Sequence, residues 1–416
     1  MLGIGASMPH HSDTVGGAES NGQRLSRLRM RLRWTQQRLA TEAGYSLAAI
    51  KAYEQGRRSL DQPSAILAMC RALDCHPTEI TGGPIIPHQN DHASQAAMAG
   101  VAAVRRALMR HGRPTRPTEQ ELAEVGVPEL RARTARANQH RSAASFTRSG
   151  QALPALLRDL QVAAETCAGD DRRAVYDLLS SAYECAMMYL YKLGHVSDAT
   201  LATERVVWAA QETENPLRIL ASRWSEAGEF LAIGEHDEAG AIIEDALSSL
   251  GKIQAPGPEA VSLTGAFELK AALNAARAAD AKRADRHWHR AVKVADQLGA
   301  DRNDWQMHFG PTNTAIWGVS LPVELGAGRA AVDRAQRVKL PEGYSSERAS
   351  HHHIDVGRAH FYNGQRDKAL EAFLTAERLA PQATRMHAGV RETVGTMIRT
   401  QKWGQLAELG IRLGVV

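Results

Sequence analysis

The side chains best placed to act on another molecule lie in one short basic stretch. Lys51, Arg57 and Arg58 follow or fall within Trp34–Gly56, WTQQRLATEAGYSLAAIKAYEQG, which is patterned as two short helices about a tight glycine turn. Thr35 and Ser46 carry the hydroxyl oxygens that cap a helix start, and Gly44 supplies the left-handed turn between the helices. In the second helix Ile50 and Tyr53, three apart, face inward, while Leu47, Ala48 and Lys51 face outward. The outward face of such a helix is the part that enters the major groove of duplex DNA.

Other chemistries find little support. His351, His352 and His353 are consecutive, so on one helix they fan out by about 100° per residue and share no ion well. His287 and His289 flank Trp288 with the same geometry, and no H-E-x-x-H spacing occurs. Cys70, Cys75, Cys167 and Cys185 are too few and too dispersed for a disulfide framework, lack C-x₂-C spacing, and are expected to be buried free thiols. There is no G-x-x-x-x-G-K-[ST], G-x-S-x-G or strand-following G-x-G-x-x-G. The chain is therefore not expected to be an enzyme, and no metal or cofactor is expected. Asn313 and Trp317, at i and i+4 in Phe309–Trp317, admit two readings. They fill gaps between helices, or they line a groove for an effector.

The elements around the basic stretch form a small helical domain. Leu25, Leu28 and Leu32 make an apolar stripe upstream. Downstream, Pro63 opens a helix bearing Ile66, Leu67, Cys70 and Leu73, and Pro77–Ile80 gives a last turn. Residues 22–80 thus resemble the Cro/C1-type (Xre-family) helix-turn-helix, with its Thr35-Gln36 step, Leu39-Ala40 step, turn Gly44 and Glu54-x-Gly56 ending. The resemblance implies a five-helix DNA-binding domain over 22–81. It implies that Thr35 and Gln36 lie at the DNA, with Gln36 touching phosphate and bracing the second helix. Ser46, Leu47, Ala48, Lys51 and Ala52 would face the bases, Arg57 and Arg58 the backbone, and Arg29 would pair with Glu54 inside the domain. Leu47 and Ala48 can touch thymine methyls but cannot make bidentate bonds to G or A. Specificity is then expected to rest partly on DNA shape.

Charge agrees with this placement. Residues 22–80 hold ten Lys/Arg against five Asp/Glu, and 98–150 hold ten Arg against four Glu. From 151 onward the balance is −4, so the positive field is concentrated in the first third. Arg131–Arg148 is either a second phosphate contact or a solvated helix at the edge of the following domain.

Helix formers dominate and aromatic residues are 5% of the chain, which points to an all-α protein. No apolar run approaches the length of a membrane span, and residues 1–21 lack the basic and apolar parts of a signal peptide. That segment is expected to be disordered, the protein cytoplasmic, and no membrane is among its expected partners. Residues 82–97 read as a linker. From 98 to 416 glycine-led helices recur after Gly194, Gly234 and Gly364, with weaker copies at Ala279–Leu298 and, about the anchor Gly326, at Leu325–Leu340, and a terminal cap starting at Trp403-Gly404. They look like tetratricopeptide repeats, and such stacking gives a curved α-solenoid. The whole resembles helix-turn-helix regulators carrying these repeats and, more remotely, the RRNPP-type regulators. That implies a homodimeric transcriptional regulator whose repeats sense a peptide or small molecule. The rival reading is an interaction scaffold that docks a partner protein, with DNA binding secondary.

Overall fold

The computed structural model describes residues 19–87, 89–111, 126–400 and 404–416, and among these every regular element is a helix. The first five are α1 (Asn21–Arg31), α2 (Gln36–Ala43), α3 (Leu47–Glu54), α4 (Pro63–Leu73) and α5 (Pro77–Thr81). Local chemistry sets their ends. The Thr35 hydroxyl accepts from Arg38 N–H at 3.1 Å, that of Ser46 from Ala49 N–H at 3.2 Å, and Gly44 sits at φ 72°. Leu25, Leu39, Ile50, Tyr53, Leu60 and Met69 close one core, each worth about 1.5–3 kcal/mol of burial. Leu32 is not part of the stripe: α1 ends at Arg31, and Leu32 beyond it is 42% exposed. Of the segment expected to be disordered, residues 1–18 lie outside the described residues. Ser20, by contrast, is the N-cap of α1 in a full capping box.

The expected linker is shorter than 82–97. Asp91 caps a helix over His92–Ala99, whose Ser94 and Ala97 are buried against the following domain. After Val101–Met109 come six helix pairs: Val127–Ser142 with Phe146–Thr166, Gly169–Lys192 with Val196–Gln211, and Pro216–Ile233 with His236–Gly251. Pro258–Arg277 with Ala281–Leu298, Pro311–Glu324 with Gly328–Ala335, and Ser346–Tyr362 with Arg366–Leu379 complete the set. Every pair turns in the same way. A left-handed residue (Ala144, Gly194, Gly234, Ala279, Gly326 or Gly364) is followed by an N–H that bonds back to the carbonyl five residues earlier. His195 to Leu190 (2.9 Å), Glu235 to Phe230 (3.0 Å) and Gln365 to His360 (2.9 Å) are three of the six. This shared closure makes the region a helical repeat. Ala388–Thr400 and Gly404–Leu413 cap its end; Trp403 lies outside the described residues.

The array coils until its two ends meet. Lys192 pairs with Glu347 at 2.9 Å, the Ser345 hydroxyl donates to Ser142 O at 2.9 Å, and Phe146 N–H donates to the Gln382 amide oxygen at 2.8 Å. Among the described residues no helix is long and apolar enough to cross a membrane.

Candidate nucleic-acid interface

One face of the first five helices is held from within. Arg29 grips Glu54 with two hydrogen bonds, Nε at 2.6 Å and an Nη at 2.8 Å, and its other Nη donates to Trp34 O at 2.6 Å. The Gln36 amide donates to the same Glu54 carboxylate at 2.8 Å. Burial pushes the Glu54 carboxyl upward, but the bonds from Arg29 and Gln36 outweigh it and hold the carboxyl below its ordinary value. Arg29 responds in kind, raised by its bond to Glu54. This cluster ties α1, the start of α2 and the end of α3 together, so α3 is presented in one orientation. The Gln36 nitrogen is already used in that bracing, which leaves its carbonyl oxygen and the helix start for any neighbour.

The presented face is polar and basic. Thr35, Ser46, Ala48, Lys51, Arg57 and Arg58 are exposed, while Leu47 and Ala52 are half-buried, Leu47 against the core. Arg57 is steadied by bonds from its Nε and Nη to the Gln55 amide oxygen at 2.9 and 2.6 Å, and Arg58 lies 5.1 Å over the Tyr53 ring. Arg33 and Arg38 join the same stretch, Arg38 stacked 4.2 Å over Trp34, and the sequence reading passed over both. A lone cation on an aromatic carries no periodic signal. Among the described residues none of Arg33, Arg38, Lys51, Arg57 and Arg58 has a carboxylate within salt-bridge reach, whereas Arg27 and Arg31 pair with Glu19 and Glu79. Free cations flanking a presented helix are the electrostatic footprint of phosphate binding.

Residues 22–81 match the family described as a helix-turn-helix domain. The chain carries this DNA-binding domain. No curated protein matches the chain.

The domain is not tethered loosely. Asp61, between α3 and α4, is buried against the repeats, where its carboxylate accepts from Arg358 Nε (3.0 Å), the Tyr362 hydroxyl (2.8 Å) and the Thr393 hydroxyl (3.3 Å). Asn21 N–H donates to Glu392 at 3.0 Å, and the Gln62 amide donates to Glu324 O at 3.2 Å. Three repeat turns form the seat. A Cβ on Gly194, Gly234 or Gly326 would lie 3.1 Å from Pro84 Cα, 3.2 Å from Leu67 Cδ2 and 3.0 Å from Gln62 Nε2, respectively. Docking uses the side carrying Asp61–Leu67, so Ser46, Ala48 and Lys51 stay in water.

Other expected sites fall elsewhere. Asn313 is 2% exposed, its oxygen accepts from Arg348 Nε at 3.0 Å, and its nitrogen donates to Met307 O at 3.4 Å. Trp317 packs between neighbouring helices beside Trp288. Their i, i+4 face was legible, but it meets another helix of the array. In Arg131–Arg148, Arg133 pairs with Asp159 (2.8 Å), Arg136 with Glu129 (3.0 Å), and Arg141 donates to Gln306 O (2.9 Å), which assigns these three to the fold. Cys70 and Cys185 are buried free thiols, while Cys75 and Cys167 are half-buried.

Proposed function

We propose that this protein is a sequence-specific transcriptional regulator of the Xre type, acting as a cytoplasmic homodimer. In this reading its tetratricopeptide-like repeats govern the DNA-binding domain in response to a small molecule or peptide, and it is not an enzyme. The observation that carries the proposal is the division of the first domain into two faces. One offers Ser46, Ala48 and Lys51 beside unpaired arginines, and the other is seated on the repeats through Asp61. Dimerisation follows from size, because one eight-residue recognition helix contacts too few base pairs for useful specificity. Sensing is supported by a cavity of ≈ 320 Å³ between the domains, walled by Ile66 and Leu67 on one side and Leu231, Lys192 and His387 on the other. An occupant there touches both domains, so it favours the docked arrangement over others.

The test is selection of bound duplexes from random sequence by the full-length protein, followed by affinity measurements at about 50 and 200 mM salt. We expect one enriched two-fold motif and a fall of a decade or more in affinity. A flat salt response with no enriched motif would refute the reading.

A further inference from the structure

A second cavity, ≈ 270 Å³, opens between the N-terminal end of α1 and the C-terminal helix Ala388–Thr400, with Ser20, Arg24 and Gly82 on one wall and Arg391, Glu392 and Arg399 on the other. Its charges do not balance. Glu19 is held by Arg27 at 2.7 Å and reaches Arg24 only at 3.8 Å. Glu392 lies 3.6 Å from Arg399 and also accepts from Asn21 N–H. Arg391 has no carboxylate within reach among the described residues and is bonded only to the carbonyl oxygens of Leu413 and Gly414. Arg24, Arg27, Arg391 and Arg399 therefore share two carboxylates; Arg24, with Glu19 only at 3.8 Å, donates to Asn21 Oδ1 at 3.2 Å and to the Ile80 and Thr81 carbonyls at 3.4 Å, and it lines the same cavity as Arg391.

The molecule registers the imbalance. Burial and the Arg24 charge lower Arg391 to about 10, an unusual place for a guanidinium, and burial lowers Arg24 as well. Two half-buried cations facing one cavity are costly unless an anion joins them. A carboxylate would neutralise one of the two, whereas a phosphate monoester dianion neutralises both and matches the planar donor fork of each arginine. Gly82 lets the Arg24 guanidinium lie against the backbone at this cavity: a Cβ there would lie 2.5 Å from Arg24 Cζ.

We propose that this cavity binds a small phosphate monoester, clasped by Arg24 of the helix-turn-helix domain and Arg391 of the C-terminal cap. The ligand bridges the two domains beside the larger cavity, with which the site shares a wall at Asn21, Thr81, Gly82, Gly83, Ile85 and Ala388. Phosphorylated metabolites of the size of glycerol 3-phosphate fit its volume and charge.

Calorimetric titration of the full-length protein with glycerol 3-phosphate, inorganic phosphate and acetate tests this. We expect one site per chain for glycerol 3-phosphate, with Kd below about 1 mM, and acetate at least about tenfold weaker. Arg24→Met and Arg391→Met should each weaken the ester by about tenfold or more. Arg31→Met, which removes an exposed arginine outside the cavity, should leave it unchanged. Arg391→Met also loses two carbonyl contacts, so circular dichroism accompanies it, and Arg24→Met decides the matter if that variant unfolds. No heat from the ester at about 10 mM, binding by inorganic phosphate alone, equal affinity for acetate, or equal loss in Arg31→Met would each overturn the proposal. None of these readouts depends on DNA binding.

Discussion

Replacing Asp61 with alanine should separate docking of the DNA-binding domain from its folding. The Asp61 and Arg358 side chains are 1% and 5% exposed, so their ion pair is wholly out of water. Breaking such a pair from one side costs about 3–5 kcal/mol, against about 0–1 kcal/mol for an exposed pair. Arg358 keeps a second carboxylate, Asp355, at 3.4 Å, which places the loss near the lower end, about 3 kcal/mol. At 1.4 kcal/mol per tenfold that is roughly a hundredfold shift toward the undocked state. The assay is a double-mutant cycle over Asp61→Ala, Arg358→Met and the double variant. It is read by urea unfolding of the full chain and by the rate of proteolysis in the segment joining the domains. Each single variant should be cleaved faster at that segment, and the double should recover part of the loss, with a coupling of about 2–3 kcal/mol. Strictly additive singles with unchanged cleavage would refute the idea that this pair fastens the two domains.

Lys51→Ala should relax base preference, whereas Arg57→Ala or Arg58→Ala should weaken all duplexes alike and lower the salt slope by about one; mobility-shift titrations on a sequence panel distinguish them. Arg29→Met and Glu54→Gln should each lower the melting temperature and loosen α3. Because the folded Glu54 carboxyl lies below its ordinary 4.5, its contribution is full above that pH and disappears as pH falls through the lower folded value, which melting curves in acid will show. Burial holds His387 at about 3 and His308 and His352 at about 4, all below the ordinary 6.5. Their folded forms stay neutral while the unfolded chain takes up protons, so stability should be complete above pH 6.5 and fall steadily toward pH 4. His352→Phe should flatten that fall. Gly265→Ala should prevent buried Phe309, in the segment leading into the fifth helix pair, from packing on the fourth, since the Cβ would sit 1.9 Å from the Phe309 ring; loss of near-ultraviolet dichroism would report it.

The first domain was legible because its signals are local. Thr35, Ser46, Pro63 and Gly44 set helix ends by chemistry within a few residues, and the apolar stripes follow from spacing alone. Three of the six repeat turns were equally plain and a fourth, at Gly326, was legible as a weaker copy, all four carrying glycine where φ is positive. The turns at Ala144 and Ala279 follow the same path at φ 52° and 61° with a residue that disfavours it, so no glycine marks the first and the second is legible only as a weak copy. Docking could not be read at all. Asp61 looks like an ordinary loop acid, and its partner Arg358 lies 297 residues away on an amphipathic helix. No periodicity connects the two. The same distance hides the cavity clasped by Arg24 and Arg391.

The seat formed by Gly194, Gly234 and Gly326 makes the DNA-binding domain a gauge of the array's pitch. These turns belong to the second, third and fifth helix pairs, and each touches a different point of a rigid body: Pro84, Leu67 and Gln62. A repeat array flexes as a spring does, with small rotations between neighbours that accumulate along its length. Three fixed contacts spanning that length cannot all survive a uniform stretch, so slight unwinding at every step becomes a finite mismatch at Gln62. Shortening or lengthening the spring by one helix pair between Gly234 and Gly326 would move the last contact by a whole repeat. The domain would then be released while every pair remained intact.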